Sequence, residues 1–181
     1  MIRTVFILLY NLIRNIIYRI RYKSRYRACA VERISPGASV RLYGRSECRF
    51  GRNIELAPGV DIQTHGNGSL DIGERTYMNR QCMISCHNRV SIGAGCMFGP
   101  GVRIFDNNHK FSKDGGVSCA LNTGEIIVGN NCWIASDVIL LKGTHIGDNC
   151  VIGAGCIIDG AIPPSTIVRQ KQHLDYQPIY K

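Results

Sequence analysis

The sequence has little proline, six residues in 181, no apolar run long enough to cross a bilayer, and no Cys-x-x-Cys pair. Each absence excludes something. The 20 glycines follow no three-residue period, and with so little proline a collagen-like chain is out. The longest uncharged run of the apolar N-terminal segment, Thr4 to Ile13, is ten residues; a spanning helix needs roughly 17–25. Without Cys-x-x-Cys, the nine cysteines do not read as a zinc ribbon or a thioredoxin-like motif. With 19% charged and 45% hydrophobic residues, the chain is not largely disordered. Its length suits one domain with a core of its own.

Acidic residues are missing from the first 31 positions. Arg3, Arg14, Arg19, Arg21, Lys23, Arg25 and Arg27 precede Glu32, so residues 1–27 hold +7 of the formal +9. The remaining 154 residues carry 15 basic and 13 acidic side chains. The basicity belongs to one segment. No groove-reading or base-stacking module follows it, which argues against a nucleic-acid partner.

That segment, residues 1–30, reads as an amphipathic helix. Ile2, Val5, Phe6, Leu9, Ile13, Ile16, Ile17 and Ile20 share one face. Arg3, Thr4, Asn11, Arg14, Asn15 and Arg21 lie opposite. A signal peptide fits poorly, because Arg14 and Asn15 interrupt the apolar region and a basic cluster replaces the cleavage site. Two readings stay open. The helix lies on an anionic membrane surface, or its apolar face packs on the body or on a partner.

What is present after residue 30 is a period of six. Val128, Ile134, Leu140, Ile146, Ile152 and Ile158 are consecutive aliphatics at that spacing. The register extends back in triplets: Ile92, Phe98, Ile104; Ile72, Met78, Ile84; Phe50, Leu56, Ile62. Three hexapeptides therefore form a unit of 18. Gly51, Gly73, Gly93, Gly129 and Gly147 follow the unit starts, which implies a backbone conformation at that corner that other residues tolerate badly. Such a period predicts a solenoid over residues 38–168: three short strands close a triangular coil, and about five coils stack at about 4.8 Å. Residues 169–181 form a tail.

Cys82, Cys96, Cys132, Cys150 and Cys156 all fall four positions after an inward aliphatic. That slot is small and interior, and a reduced thiol suits it. Interior thiols of this kind argue for a reducing compartment, hence a cytoplasmic protein. Cys86 and Cys119 fall outside the slot and stay open as reactive thiols.

Ile104 and Val128 are 24 apart where six is the repeat. The positions a continued register would use, Lys110, Gly116 and Asn122, cannot face a core. Residues 105–127 are therefore an excursion loop, opening with Asp106-Asn-Asn-His109. Long loops on tight scaffolds usually carry function.

The repeat, and the stretch from Asn131-Cys-Trp133-Ile-Ala-Ser-Asp-Val-Ile to Ile162-Pro-Pro164, resemble the hexapeptide-repeat acyltransferases. The likeness is to their galactoside, maltose and polysaccharide O-acetyltransferases. It implies an all-β, left-handed parallel β-helix, a homotrimer, acetyl-CoA as co-substrate and a sugar hydroxyl as acceptor. His109 falls where that family has its general base. An imidazole that ionises near neutral pH suits removal of a hydroxyl proton. Asn79 falls on an acceptor contact, with His87 and Asp106 beside the acceptor. Coenzyme A contacts fall near Trp133, Ala135, Ser136, Gly153 and Ala154. After Pro164 the family's usual continuation is missing, and Lys171 or Arg169 is left to reach the coenzyme. No metal is implied. The zinc carbonic anhydrases of the same solenoid type are a poorer match, for their His-x-x-x-x-His pair is absent. The basic helix would hold such an enzyme at the inner face of the membrane, near a polysaccharide or lipid-linked glycan. Two alternatives remain: a hexapeptide acetyltransferase for serine, an aminosugar or a xenobiotic, and a non-catalytic membrane-associated scaffold.

Overall fold

The computed structural model describes residues 2–29, 32–171 and 175–179. One helix, α1 (Ile2–Tyr22), precedes a solenoid of short strands that begins at Tyr26. Most strands are two to four residues long, too short to stand alone. They gain stability by parallel stacking into three flat faces. Face A holds seven strands from Tyr26–Arg27 to Ala161–Ile162; face B holds seven from Arg33–Ile34 to Ile167–Val168; face C holds six from Ser39–Leu42 to Ile157–Ile158. The expected all-β, left-handed parallel β-helix behind one amphipathic helix is the fold of this chain. The coil count differs. Six complete coils and two strands of a seventh are present, because Tyr26, Ile34 and Val40 already build the first coil.

The triplet register holds residue for residue. Phe50, Ile72, Ile92, Val128 and Ile146 pair in one inward column on face A. Leu56, Met78, Phe98, Ile134 and Ile152 form the column of face B. Ile62, Ile84, Ile104, Leu140 and Ile158 form that of face C. All are buried. Each such aliphatic contributes roughly 1.5–3 kcal/mol by leaving water.

The glycine corner has a different cause from the one expected. Gly73 and Gly93 lie outside the left-handed region of backbone space, which falls two residues later, at Arg75 and Gly95. The constraint is a close approach between coils. A β-carbon on Gly73 would lie 2.5 Å from the backbone of Gly93, and one on Gly93 would lie 2.6 Å from that of Gly129.

The small slot is confirmed and has a hydrogen-bonding role. Thr76 Oγ1 donates to the Gly93 carbonyl at 3.0 Å. One coil up, Cys96 donates to Gly129, then Cys132 to Gly147 and Cys150 to Pro163, each at 3.1 Å. The thiols thus satisfy corner carbonyls that face the interior. Cys48, Cys82, Cys86 and Cys156 are buried as well. Burial pushes the Cys82 thiol up to about 11. Cys86 goes higher still, through burial and then the neighbouring Asp106 carboxylate, so it is no ready nucleophile. Cys119 alone is exposed.

The helix docks with the opposite polarity to the body-packing expectation. Asn11, Arg14 and Asn15 are buried, and Phe6, Leu9, Leu12, Ile13, Ile16, Ile17 and Ile20 are exposed. Arg14 donates to the carbonyls of Ser35 at 2.8 Å and Ala38 at 3.4 Å. Asn15 donates to the Cys29 carbonyl and accepts from the Tyr26 hydroxyl. Arg19 donates to the Ala28 carbonyl. Buried Glu32 accepts from the Cys29 amide through Oε1. The polar face of α1 is a latch for the open backbone of the first coil. Arg3, Thr4, Ile2 and Val5 belong to the same helix, but their side chains lie outside the described set.

Candidate active site

The excursion is an antiparallel hairpin, Asn107–Ser112 with Gly116–Thr123, irregular between His109 and Phe111. It leaves the corner that joins face C to face A, after Phe105. Asp106 anchors its base. The carboxylate is buried and accepts the His87 amide at 2.8 Å, the Asn88 amide at 2.7 Å and Asn107 Nδ2 at 3.0 Å. This corrects the expectation of Asp106 as an acceptor contact. Its oxygens are committed to the coil below, so its role is to fix where the hairpin starts.

His109 stands on the first hairpin strand with its side chain exposed to solvent. Its Nδ1 lies 3.0 Å from the Ser118 carbonyl across the hairpin. A carbonyl can only accept, so Nδ1 is the donor, and in the neutral ring the lone pair is on Nε2. The bond fixes tautomer and ring direction together, as a general base requires.

His87 belongs to a ladder. Tyr43, His65 and His87 occupy the same corner in successive coils. His65 stacks on Tyr43 at 4.7 Å and His87 on His65 at 4.5 Å, with rings within 12° of parallel. The two imidazoles and the Tyr43 ring thus form one continuous stack of three. Burial and then the neighbouring His87 hold the His65 imidazole below its ordinary ionisation range. Parallel rings direct their nitrogen lone pairs along parallel planes, not toward one shared point.

Asn79 sits elsewhere, at the corner joining face B to face C. Its Oδ1 accepts the Arg80 amide, which leaves its amide nitrogen available. It lines a cavity of about 620 Å³ with Arg33, Tyr77, Arg80, Pro58 and, from α1, Ile7. Arg33 and Glu55 form an exposed ion pair on its wall. One protomer therefore does not bring Asn79 and His109 together: they stand at different corners of the triangle.

The proposed coenzyme residues do share a corner, and it is that of Asn79. Asn79, Gly99, Ala135 and Gly153 each donate a backbone N–H to the coil above. Ser136 and Ala154 are the next residues of the same turns. Gly99 is glycine because a β-carbon there would lie 2.6 Å from the Ser136 amide. Trp133 is about half exposed on face B, in register with Met97 below and Val151 above. Arg169, rather than Lys171, caps this column: its Cγ is 3.4 Å from where a β-carbon on Gly153 would sit. It lines a smaller cavity of about 280 Å³ with Ile157 and Val168. Lys171 is exposed two residues beyond. Arg169 directly follows Val168, which pairs with Ile152 at the end of the six-residue register, and so is legible in the sequence; Arg33 and Tyr77 line the Asn79 cavity but belong to no motif that marks them.

Residues 125–160 match the family model described as bacterial transferase hexapeptide (six repeats). The chain is 32% identical over 117 residues to the galactoside O-acetyltransferase of Escherichia coli (strain K12), covering 65% of this chain and 57% of that one. It is 27% identical over 132 residues to the galactoside O-acetyltransferase of Lactococcus lactis subsp. lactis (strain IL1403), covering 73% and 63%. Among solved structures, a maltose O-acetyltransferase from Clostridium difficile 630 superposes with a TM-score of 0.54 at 27% identity, covering 65% and 64%. The chain thus spans less than two thirds of the length of these relatives. Repeat, coil geometry and these matches agree: the chain is a hexapeptide-repeat solenoid similar to the O-acetyltransferases of that group.

Proposed function

We propose that the protein is an acetyl-CoA-dependent O-acetyltransferase acting on a sugar hydroxyl. The single observation that carries the reading is the Nδ1–Ser118 contact, which leaves His109 Nε2 free as a base on an exposed hairpin. Nε2 takes the proton of the acceptor hydroxyl as its oxygen attacks the thioester carbon. The C–S bond breaks, the protonated imidazole gives the same proton to the departing sulfur so that coenzyme A leaves as the thiol, and the acetyl group stays on the sugar oxygen. Asn79 and the cavity beside it take the acceptor. The corner of Trp133, Ala135, Ser136, Gly153 and Ala154, capped by Arg169, takes the coenzyme, with a cation available for its phosphates.

Because Asn79 and His109 stand at different corners, a complete site needs a second copy, as in a homotrimer. Exposed Met97, Trp133 and Ile167 on face B and Ile157 on face C support packing between copies there. The finer reading is a polysaccharide or lipid-linked glycan acceptor, modified at the inner face of a membrane. No helix among the described residues is long and apolar enough to cross one.

Incubation with acetyl-CoA and pooled sugar acceptors, with free coenzyme A and acetylated products read by mass spectrometry, tests the activity. His109→Ala should lower turnover about 10²–10⁴-fold, the usual contribution of a positioned base. Turnover unchanged in His109→Ala, or none with any acceptor, would sink the mechanism.

A further inference from the structure

The α1 helix turns its apolar side away from the protein. At about 100° per residue, the exposed Phe6, Leu9, Leu12, Ile13, Ile16, Ile17 and Ile20 cover an arc of about 140°. The buried Asn11, Arg14, Asn15 and Tyr22 lie on the opposite side. Arg19 and Arg21 flank the apolar arc on its two edges, and Lys23 and Arg27 follow, exposed, just past the helix end. No acidic residue precedes Glu32.

We infer that α1 lies in the plane of an anionic lipid surface, held in that orientation by the polar latch on its other side. Two features favour a bilayer over a second copy of the helix, and a third fixes the outward orientation of the apolar face. The arc is broader than the two-residue seam along which helices pair. Cations edge it on both sides, which suits headgroup phosphates and would repel an identical helix. The latch, from Arg14 to Ser35 and Asn15 to Cys29, seats the polar face on the first coil and so holds the apolar face outward. Ile7 of the same helix lines the cavity beside Asn79, so a seated helix keeps that cavity close to the lipid. The consequence for the substrate rests on the reading of that cavity given above: the acceptor is presented at a membrane, as a lipid-linked sugar is. The lipid contact does not depend on it.

Flotation of the full chain with phosphatidylcholine vesicles, with and without about one third phosphatidylglycerol, separates the outcomes. The expected result is strong binding to the anionic vesicles and at least tenfold weaker binding to the neutral ones. Ile13→Asn with Ile17→Asn and Ile20→Asn should abolish flotation while leaving the melting temperature and circular dichroism unchanged, since those side chains face outward. Each of Arg21→Ala, Lys23→Ala and Arg27→Ala should weaken anionic binding about fivefold, the worth of one surface cation. Wild-type protein that fails to float with anionic vesicles overturns the inference, whatever the transferase assay gives. So does a triple variant that floats as well as wild type. Sedimentation showing that the triple variant dissociates a larger assembly in the absence of lipid would assign the face to a second copy instead.

Discussion

Glu32 lies under α1, fully buried, with Oε2 unpartnered among the described residues. Burial raises its ionisation from an ordinary 4.5 to about 7, against the opposing pull of the Cys29 amide and the Arg14 guanidinium. The folded state therefore holds a proton that the unfolded chain releases. Below about pH 4 both states are protonated and the group is neutral to stability. Between 4.5 and 7 the unfolded state binds fewer protons, so stability falls as pH rises; above 7 the loss is complete. At about 1.36 kcal/mol per pH unit, that loss approaches about 3 kcal/mol. Glu32→Gln keeps an oxygen for the Cys29 amide and removes the ionisation. The variant should thus gain stability relative to wild type with rising pH, by nothing near pH 4 and by about 3 kcal/mol near pH 8. In a chain of this size the gain corresponds to roughly 6–12 °C in melting temperature. Urea denaturation of both proteins from pH 4 to 8, followed by circular dichroism, measures it. Hydrogen exchange of α1 reports the same difference if the helix releases before the solenoid. A stability difference flat across that range, or one that shrinks toward pH 8, would refute a buried, proton-holding Glu32.

Two further predictions concern the solenoid. Cys150→Ser keeps a donor for the Pro163 carbonyl, as Thr76 does for Gly93, and should cost under about 1 kcal/mol; Cys150→Leu overpacks the slot and should cost about 1–3 kcal/mol in urea unfolding. The reverse order would show that the slot is not defined by size and hydrogen bonding. Asp106→Ala strips three donors of their acceptor and should destabilise by about 3 kcal/mol or more. Hydrogen exchange in residues 107–123 should speed up, and transferase activity should fall without any direct contact to the acceptor; unchanged exchange would place the hairpin's anchor elsewhere.

The coils were legible because a solenoid repeats one local environment. An inward aliphatic every six residues and a small residue four later are enough to assign a column to Ile92 or Cys132 without coordinates. The first coil escaped for the same reason: Tyr26 and Ala28 do not look like the repeat, since their neighbours are helix residues as well as coil residues. The glycine corner is legible as a position but not as a cause. A spacing shows that a β-carbon is unwelcome, not whether a torsion or the next coil excludes it, and at Gly93 it is the backbone of Gly129. The site divides in the same way. His109 is marked by a break in the period. Asp106, two residues inside that break, looks equally available in sequence, and only the amides of His87 and Asn88 take it out of the site.

The helix shows where patterning stops being informative. An amphipathic period defines two faces but not which one meets the protein. The usual expectation, apolar face inward, assumes a body that offers apolar surface. Here the six-residue register has already turned the aliphatics of the first coil into the core, and what remains open is backbone: the carbonyls of Cys29, Ser35, Ala38 and Ala28. Such a surface selects amide and guanidinium donors. Arg14, Asn15 and Arg19 supply them, while the buried Asn11 on the same face turns its amide back to the Ile7 carbonyl of its own helix, and the isoleucines are left to meet something else. The polarity of α1 is therefore a consequence of how the solenoid satisfies its own core. Among the described residues none of the first coil covers the outward apolar arc, which is why that arc, rather than the latched face, is the one open to a second surface.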